Sequence, residues 1–193
     1  NDPVNKVDLD GRVVTVPTSE TQQDLLMTIP AELRSYVSFS RNGEVSVDMV
    51  AAFNDYRATN EFDGKRLLDI NPYHSGNFRD LSEMSKNEKF NIILGKNPDG
   101  YINTDGKLMT SWEKLDAAGT TLKTSLLDDK GRTIIQSQYN SSLSIKTQIY
   151  TLSHEIYGHA IMDMLNRNSK HGTPELENRI KRTQEELDGF FNK

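Results

Sequence analysis

The chain has 193 residues, 35% of them apolar and 26% charged, with a formal net charge of −5 and no cysteine. The absence of cysteine excludes disulfides and thiolate ligands, so any bound metal must rely on imidazoles and carboxylates. The interspersed charges lack the basic patch of a nucleic-acid surface, and no apolar run approaches membrane-spanning length.

The length predicts a single domain over residues 1–193, large enough for a real core. The opening Asn1-Asp-Pro-Val-Asn5 lacks an initiator methionine. A removed signal peptide would account for this, as would a recombinant start; the first implies a secreted or periplasmic bacterial protein. Arg12 to Val16 reads as a short strand ended by Pro17, and Ser19 is placed to cap a helix through Met27. Pro30 opens a second short helix running to Tyr36. Val37-Ser-Phe-Ser40 and Val45-Ser-Val-Asp48 alternate with period 2 around Asn42-Gly43, which predicts a hairpin. Met49 to Tyr56 fits either an extension of that strand or a helix.

Gly64 to Ile70 and Phe78 to Met84 each read as about two helical turns, separated by a loop that carries His74. The bland reading of His74 is a surface histidine; the functional one is a contact at a cleft rim. Lys89 to Leu94 is a strand, followed by turn signals at Asp99-Gly100 and Asp105-Gly106. An EF-hand reading of these fails, because with Gly106 as the turn glycine the first and twelfth ligand positions fall on Tyr101 and Trp112. Thr124 to Leu127 and Arg132 to Tyr139 then read as two strands joined across Asp128 to Gly131. The second feeds into a helix capped by Asn140, Ser141 or Ser142.

That helix carries the chemistry. Within Thr151-Leu-Ser-His-Glu-Ile-Tyr-Gly-His-Ala160, His154 is followed by Glu155, and His159 comes five residues after His154. Ile145, Ile149, Leu152, Ile156, Ala160 and Met164 recur at helical spacing, so the histidines lie on an amphipathic helix. A His-Glu pair with a second His one turn later is the usual frame of a zinc hydrolase, where imidazoles hold Zn²⁺ and the Glu acts on a water. The spacing, however, is H-E-x-x-x-H. At about 100° per residue, five steps set the imidazoles about 140° apart on a regular helix, too far to share one ion. A single π-turn absorbs the extra residue, so the metal reading predicts a bulge over Ile156–His159, with Gly158 lowering its steric cost.

His154-Glu-Ile-Tyr-Gly-His159 resembles the His-Glu-Leu-Leu-Gly-His motif of the dipeptidyl-peptidase III family of zinc peptidases, which shares the inserted residue. The Gly-His-Ala that ends it is also similar to the His-Glu-x-Gly-His-Ala of gluzincin-type toxin domains attached to Rhs proteins. The resemblance covers the motif and one possible further ligand. It implies a minimal gluzincin-like peptidase, without the two-lobed architecture or dipeptide-releasing specificity of dipeptidyl-peptidase III.

Beyond the helix, Thr173 caps another helix with Pro174 at its first position, its inner face formed by Leu176, Ile180, Thr183 and Leu187. A catalytic zinc needs three protein ligands, and the downstream candidates are His171, Glu175 and Glu177. Glu177 flanks the inner face of the last helix, and Glu177-Asn-Arg179 resembles the Glu-Cys-Arg third-ligand segment of dipeptidyl-peptidase III. Lys181 departs from the acidic residue found there in that family. Glu177 is therefore favoured over Glu175, which suits a capping carboxylate on the helix dipole. His171 reads as a plain surface residue in a Gly-flanked loop.

The resulting expectation is an α+β domain, minimal and zincin-like. A small, mainly antiparallel sheet packs on the active-site helix and the C-terminal helix. The function expected is zinc-dependent hydrolysis of peptide or protein substrates, with His154, His159 and Glu177 on Zn²⁺ and Glu155 as general base. The substrate would add along Arg132–Tyr139 as edge strand, and Tyr150, Tyr157 and His171 are candidate oxyanion partners. The alternative is a secreted non-enzymatic binding module with a structural or vestigial zinc.

Overall fold

The computed structural model describes residues 14–60 and 63–191. In chain order the elements are β1 (Val14–Thr15), α1 (Ser19–Met27), a 3₁₀ turn (Ala31–Tyr36), β2 (Val37–Phe39), β3 (Val45–Val47), α2 (Met49–Arg57), α3 (Gly76–Met84) and β4 (Phe90–Asn97). They continue with β5 (Gly100–Ile102), β6 (Leu108–Ser111), α4 (Trp112–Leu115), β7 (Gly119–Leu127), β8 (Thr133–Asn140), α5 (Ile145–Ser153), a π-helical segment (His154–Ala160), α6 (Ile161–Met164) and α7 (Pro174–Phe191). The fold is α+β, as the sequence pattern implies. Of the strand expected over Arg12–Val16, the first two residues lie outside the described range, as do Asn1 to Asn5. Among the described residues no helix is long and apolar enough to cross a membrane.

The main sheet has the order β1-β4-β8-β7. It is mixed: β1 and β8 both run parallel to β4, with Phe90 opposite Thr133 and Asn97 opposite Asn140, and only β7 is antiparallel to its neighbour. The two small hairpins, β2–β3 and β5–β6, are antiparallel. The parallel pairs follow from the long excursions that join their strands, whereas β7 and β8 meet across a tight turn in which the Gly131 amide donates to the Asp128 carbonyl at 3.0 Å. Gly131 has φ +75° there, the left-handed region that such a turn demands.

β8 is therefore an internal strand, and the expectation that Arg132–Tyr139 forms the edge is corrected: the free edge beside the helices belongs to β7. The reason is visible in the burial of β8. On one face Ile135, Ser137 and Tyr139 are wholly buried; Tyr139 donates to Asp24 of α1 at 2.6 Å. On the other, Gln136 accepts from the Tyr101 hydroxyl at 2.5 Å, and the Gln138 amide pairs with the backbone of Ile102 as another strand would. A strand covered on both faces belongs inside a sheet.

Two further differences have local causes. Gly64 to Ile70 forms no helix; the segment holds an isolated bridge from Thr59 to Arg66 and buries Leu68. Met49–Arg57, which the pattern left open, is a helix because the Asp48 carboxylate accepts from the Ala51 amide at 2.8 Å and so caps it. The buried apolar residues, from Val14 through Phe78, Ile92 and Ile156 to Ile180, make one cluster between the sheet and the helices.

Candidate metal centre

α5 begins one turn later than the sequence suggests. β8 runs to Asn140, and the cap is Ser144, whose hydroxyl accepts from the Thr147 amide at 3.2 Å. The Gln148 side chain ties down the intervening turn by donating to the carbonyls of Ser141 and Leu143. From Ser153 the backbone continues without interruption into the π-helical segment His154–Ala160, which carries the whole H-E-x-x-x-H motif. The expected bulge is thus present and extends over seven residues. Ile156, Tyr157 and Ala160 are fully buried on its rear face. Gly158 serves close packing: a Cβ there would come within 3.1 Å of Ile180 Cγ1 on α7.

The widened turn brings the two imidazoles together, and a third joins them. His154 Nε2 lies 3.1 Å from His159 Nε2, which lies 3.2 Å from His171 Nε2. The three ligand atoms all fall within 4.8 Å of one another, close enough to bind one metal ion. His171 sits in the loop between α6 and α7, twelve residues after His159.

Glu177, expected as the third donor, stands one step further out. Its Oε1 accepts from the Gly172 amide at 2.9 Å and from His171 Nδ1 at 3.2 Å, so it orients the imidazole that reaches the centre. Those two contacts hold its carboxyl below the usual range, the Gly172 amide contributing most. Glu175 is turned away onto Arg167. The physical reason is the loop: Gly172 at φ +86° folds the chain so that His171 lies against the first turn of α7, between Glu177 and the other histidines. The sequence signal for His171 was slight, consisting of a scarce residue type placed between the two packed helices.

Hydrogen bonding fixes which nitrogens are bare. The Ser169 carbonyl, at 2.8 Å from His159 Nδ1, accepts a proton from it, and the Glu177 carboxylate accepts one from His171 Nδ1. In neutral imidazoles this leaves Nε2 of both residues as an unprotonated lone pair. In that neutral form the two lone pairs face each other at 3.2 Å, and a cation between them would remove their repulsion. Burial first, and then the neighbouring imidazoles, push His154 down to about 4; burial likewise lowers His159. The neutral, metal-binding form is the one this environment favours. Nitrogens on a tetrahedral ion at 2.0–2.1 Å are separated by about 3.3 Å, close to the 3.1 and 3.2 Å that separate His159 Nε2 from the other two.

Glu155 lines a cleft together with His154, His171, Tyr150, Thr151 and the Ala117–Gly119 segment. It is 5% exposed, and burial pushes its carboxyl up to about 7, opposed by the Thr121 hydroxyl, which donates to Oε2 at 2.8 Å. Thr121 lies on β7, the free-edge strand, and Gly119 of the same strand packs so closely that an added Cβ would come 3.0 Å from Glu155 Cγ. Of the candidate oxyanion partners, Tyr157 is fully buried with its hydroxyl on Thr28, away from the cleft. Tyr150 lines the cleft and donates to Asp188. His74 is exposed and stands apart from the three clustered histidines.

Comparison with protein-family models, curated proteins and solved structures returned no match to this chain.

Proposed function

We propose that the protein is a zinc-dependent peptidase whose ion is held by His154, His159 and His171. The observation that carries this reading is the convergence of three imidazole Nε2 atoms in a cleft with a buried carboxyl group. Three nitrogen donors, with no fourth ligand grouped with them among the described residues, suit a catalytic rather than a structural zinc. The all-imidazole donor set suits zinc and its transition-metal neighbours rather than calcium or magnesium. The likeness to the dipeptidyl-peptidase III motif supports the reaction class, while the third donor becomes a histidine in place of that family's glutamate.

A zinc ion bound there would supply positive charge that acidifies water and polarises a scissile carbonyl. Glu155 is the proton carrier: its carboxyl is buried in the cleft that His154 and His171 also line, placed to take a proton from the attacking water and return it to the leaving amine. Thr121 holds one carboxylate oxygen and leaves the other for this exchange. Ser169 and Glu177 keep His159 and His171 in the tautomer that presents Nε2. The free edge of β7 passes directly beside Glu155, so an extended peptide pairing along Gly119–Leu127 would be carried past the proton carrier.

The test is Glu155→Gln assayed on a quenched-fluorescent peptide library after zinc loading. Metal content should be unchanged and hydrolysis should fall by about two orders of magnitude or more, the scale of a lost general base. Equal turnover by the variant and the parent would reject peptidase chemistry centred on this residue.

A further inference from the structure

Behind the histidines, five wholly buried polar residues form one hydrogen-bonded chain across five helical elements. Thr183 Oγ1 on α7 donates to Asn77 Oδ1 on α3 at 2.6 Å, and Asn77 Nδ2 donates to the Thr28 carbonyl at the end of α1 at 2.8 Å. The Thr28 hydroxyl gives its proton to the Leu25 carbonyl at 2.6 Å, so the Tyr157 hydroxyl must be the donor in its 2.8 Å bond to Thr28. By the same count, the Thr183 proton is committed to Asn77, and Ser153 is the donor to Thr183 at 2.6 Å. Each hydroxyl has a single proton, so these assignments are mutually fixed.

The two ends of this chain bracket the first half of the metal motif. Ser153 immediately precedes His154, and Tyr157 stands two residues before His159. We infer that Thr183 and Asn77 are positioning residues, which hold the π-helical register of His154–Ala160 and through it the convergence of His154 and His159. The inference rests on the metal reading above.

A π-helical segment competes with ordinary α-helical winding, which turns the chain further at each residue. Rewinding between Ser153 and Tyr157 would change the angle between their side chains and pull one or both off its partner. Because these groups are wholly buried, that strands a donor or acceptor, so the satisfied network opposes rewinding. Apolar packing of Gly158 on Ile180 permits the close approach of α7 but does not distinguish one winding from the other in this way.

The experiment measures zinc affinity of the full chain by competition with a chromophoric chelator at neutral pH, with the visible spectrum of the cobalt-substituted protein as a readout of ligand geometry. Thr183→Val keeps the shape and removes the hydroxyl. It should weaken zinc binding by about tenfold or more and alter the cobalt spectrum, whereas Thr183→Ser should stay within about twofold of the parent. Tyr157→Phe breaks the other end with minimal change in packing and should weaken binding in the same direction, and it decides the question if Thr183→Val does not fold. Leu187→Ala, a wholly buried apolar position on α7 outside the network, should lower thermal stability while leaving affinity and spectrum intact. Parental affinity and spectrum in both network variants would overturn the inference, as would an equal loss of affinity in Leu187→Ala. Failure of the parent itself to bind zinc or cobalt would remove the metal reading and this inference together.

Discussion

The Glu155 carboxyl should weigh against folding at alkaline pH in the metal-free protein, and Glu155→Gln isolates that cost. Burial moves the group from an ordinary glutamate value of 4.5 to about 7. The sign follows from proton binding: between these two values the folded state holds a proton that the unfolded chain has released, so stability falls as pH rises through this window. Below 4.5 both states are protonated and the group contributes nothing; above about 7 the loss is complete. At about 1.36 kcal/mol per pH unit the full loss is about 3 kcal/mol. The glutamine retains an oxygen to accept from Thr121 and carries no charge, so it escapes the penalty. At about 2–4 °C per kcal/mol for a chain of this size, Glu155→Gln should raise Tm by about 6–12 °C above neutral pH and by almost nothing in mild acid. Paired thermal unfolding of parent and variant across that range, with chelator present, checks this, because other titrating groups cancel in the difference. A difference in Tm that stays flat across the range would refute the burial argument.

Replacing His171 with alanine should weaken zinc binding more than replacing Glu177, since the first removes a donor and the second an orienting carboxylate worth about 10–100-fold in affinity. Equal losses, or a larger one for Glu177, would return Glu177 to the ligand set. Gly119→Ala should destabilise the fold by about 1–3 kcal/mol, because its Cβ would come 2.6 Å from Thr151 Cγ2 and 3.0 Å from both the Gln138 carbonyl oxygen and Glu155 Cγ. Denaturant unfolding tests this, and unchanged stability would show that β7 can withdraw from the helix at little cost.

Much of the local structure was written in the sequence. The hairpin over Val37–Phe39 and Val45–Val47 is specified by alternation around Asn42-Gly43, and α7 by Pro174 at its first position followed by a single apolar face, although the Thr173 hydroxyl, expected as its cap, donates to the Asn168 and Lys170 carbonyls. The departure from α-helical winding at His154–Ala160 was also legible, since only a widened turn brings histidines five apart to one side of a helix. These are short-range matters, settled by spacing and by the steric demands of neighbouring residues. The sequence could not say which strand lies at the sheet edge. Arg132–Tyr139 and Thr124–Leu127 both read as strands, and only the packing of β5 against Gln136 and Gln138 places β8 inside. Nor could it say which of His171, Glu175 and Glu177 comes within reach of His154 and His159. That depends on how one glycine-bearing loop folds back from α7, where a contact between residues twelve apart turns a histidine that stays exposed toward His159. Periodicity determines which face of an element a side chain occupies; which side chains from different elements meet at one point is decided by tertiary packing.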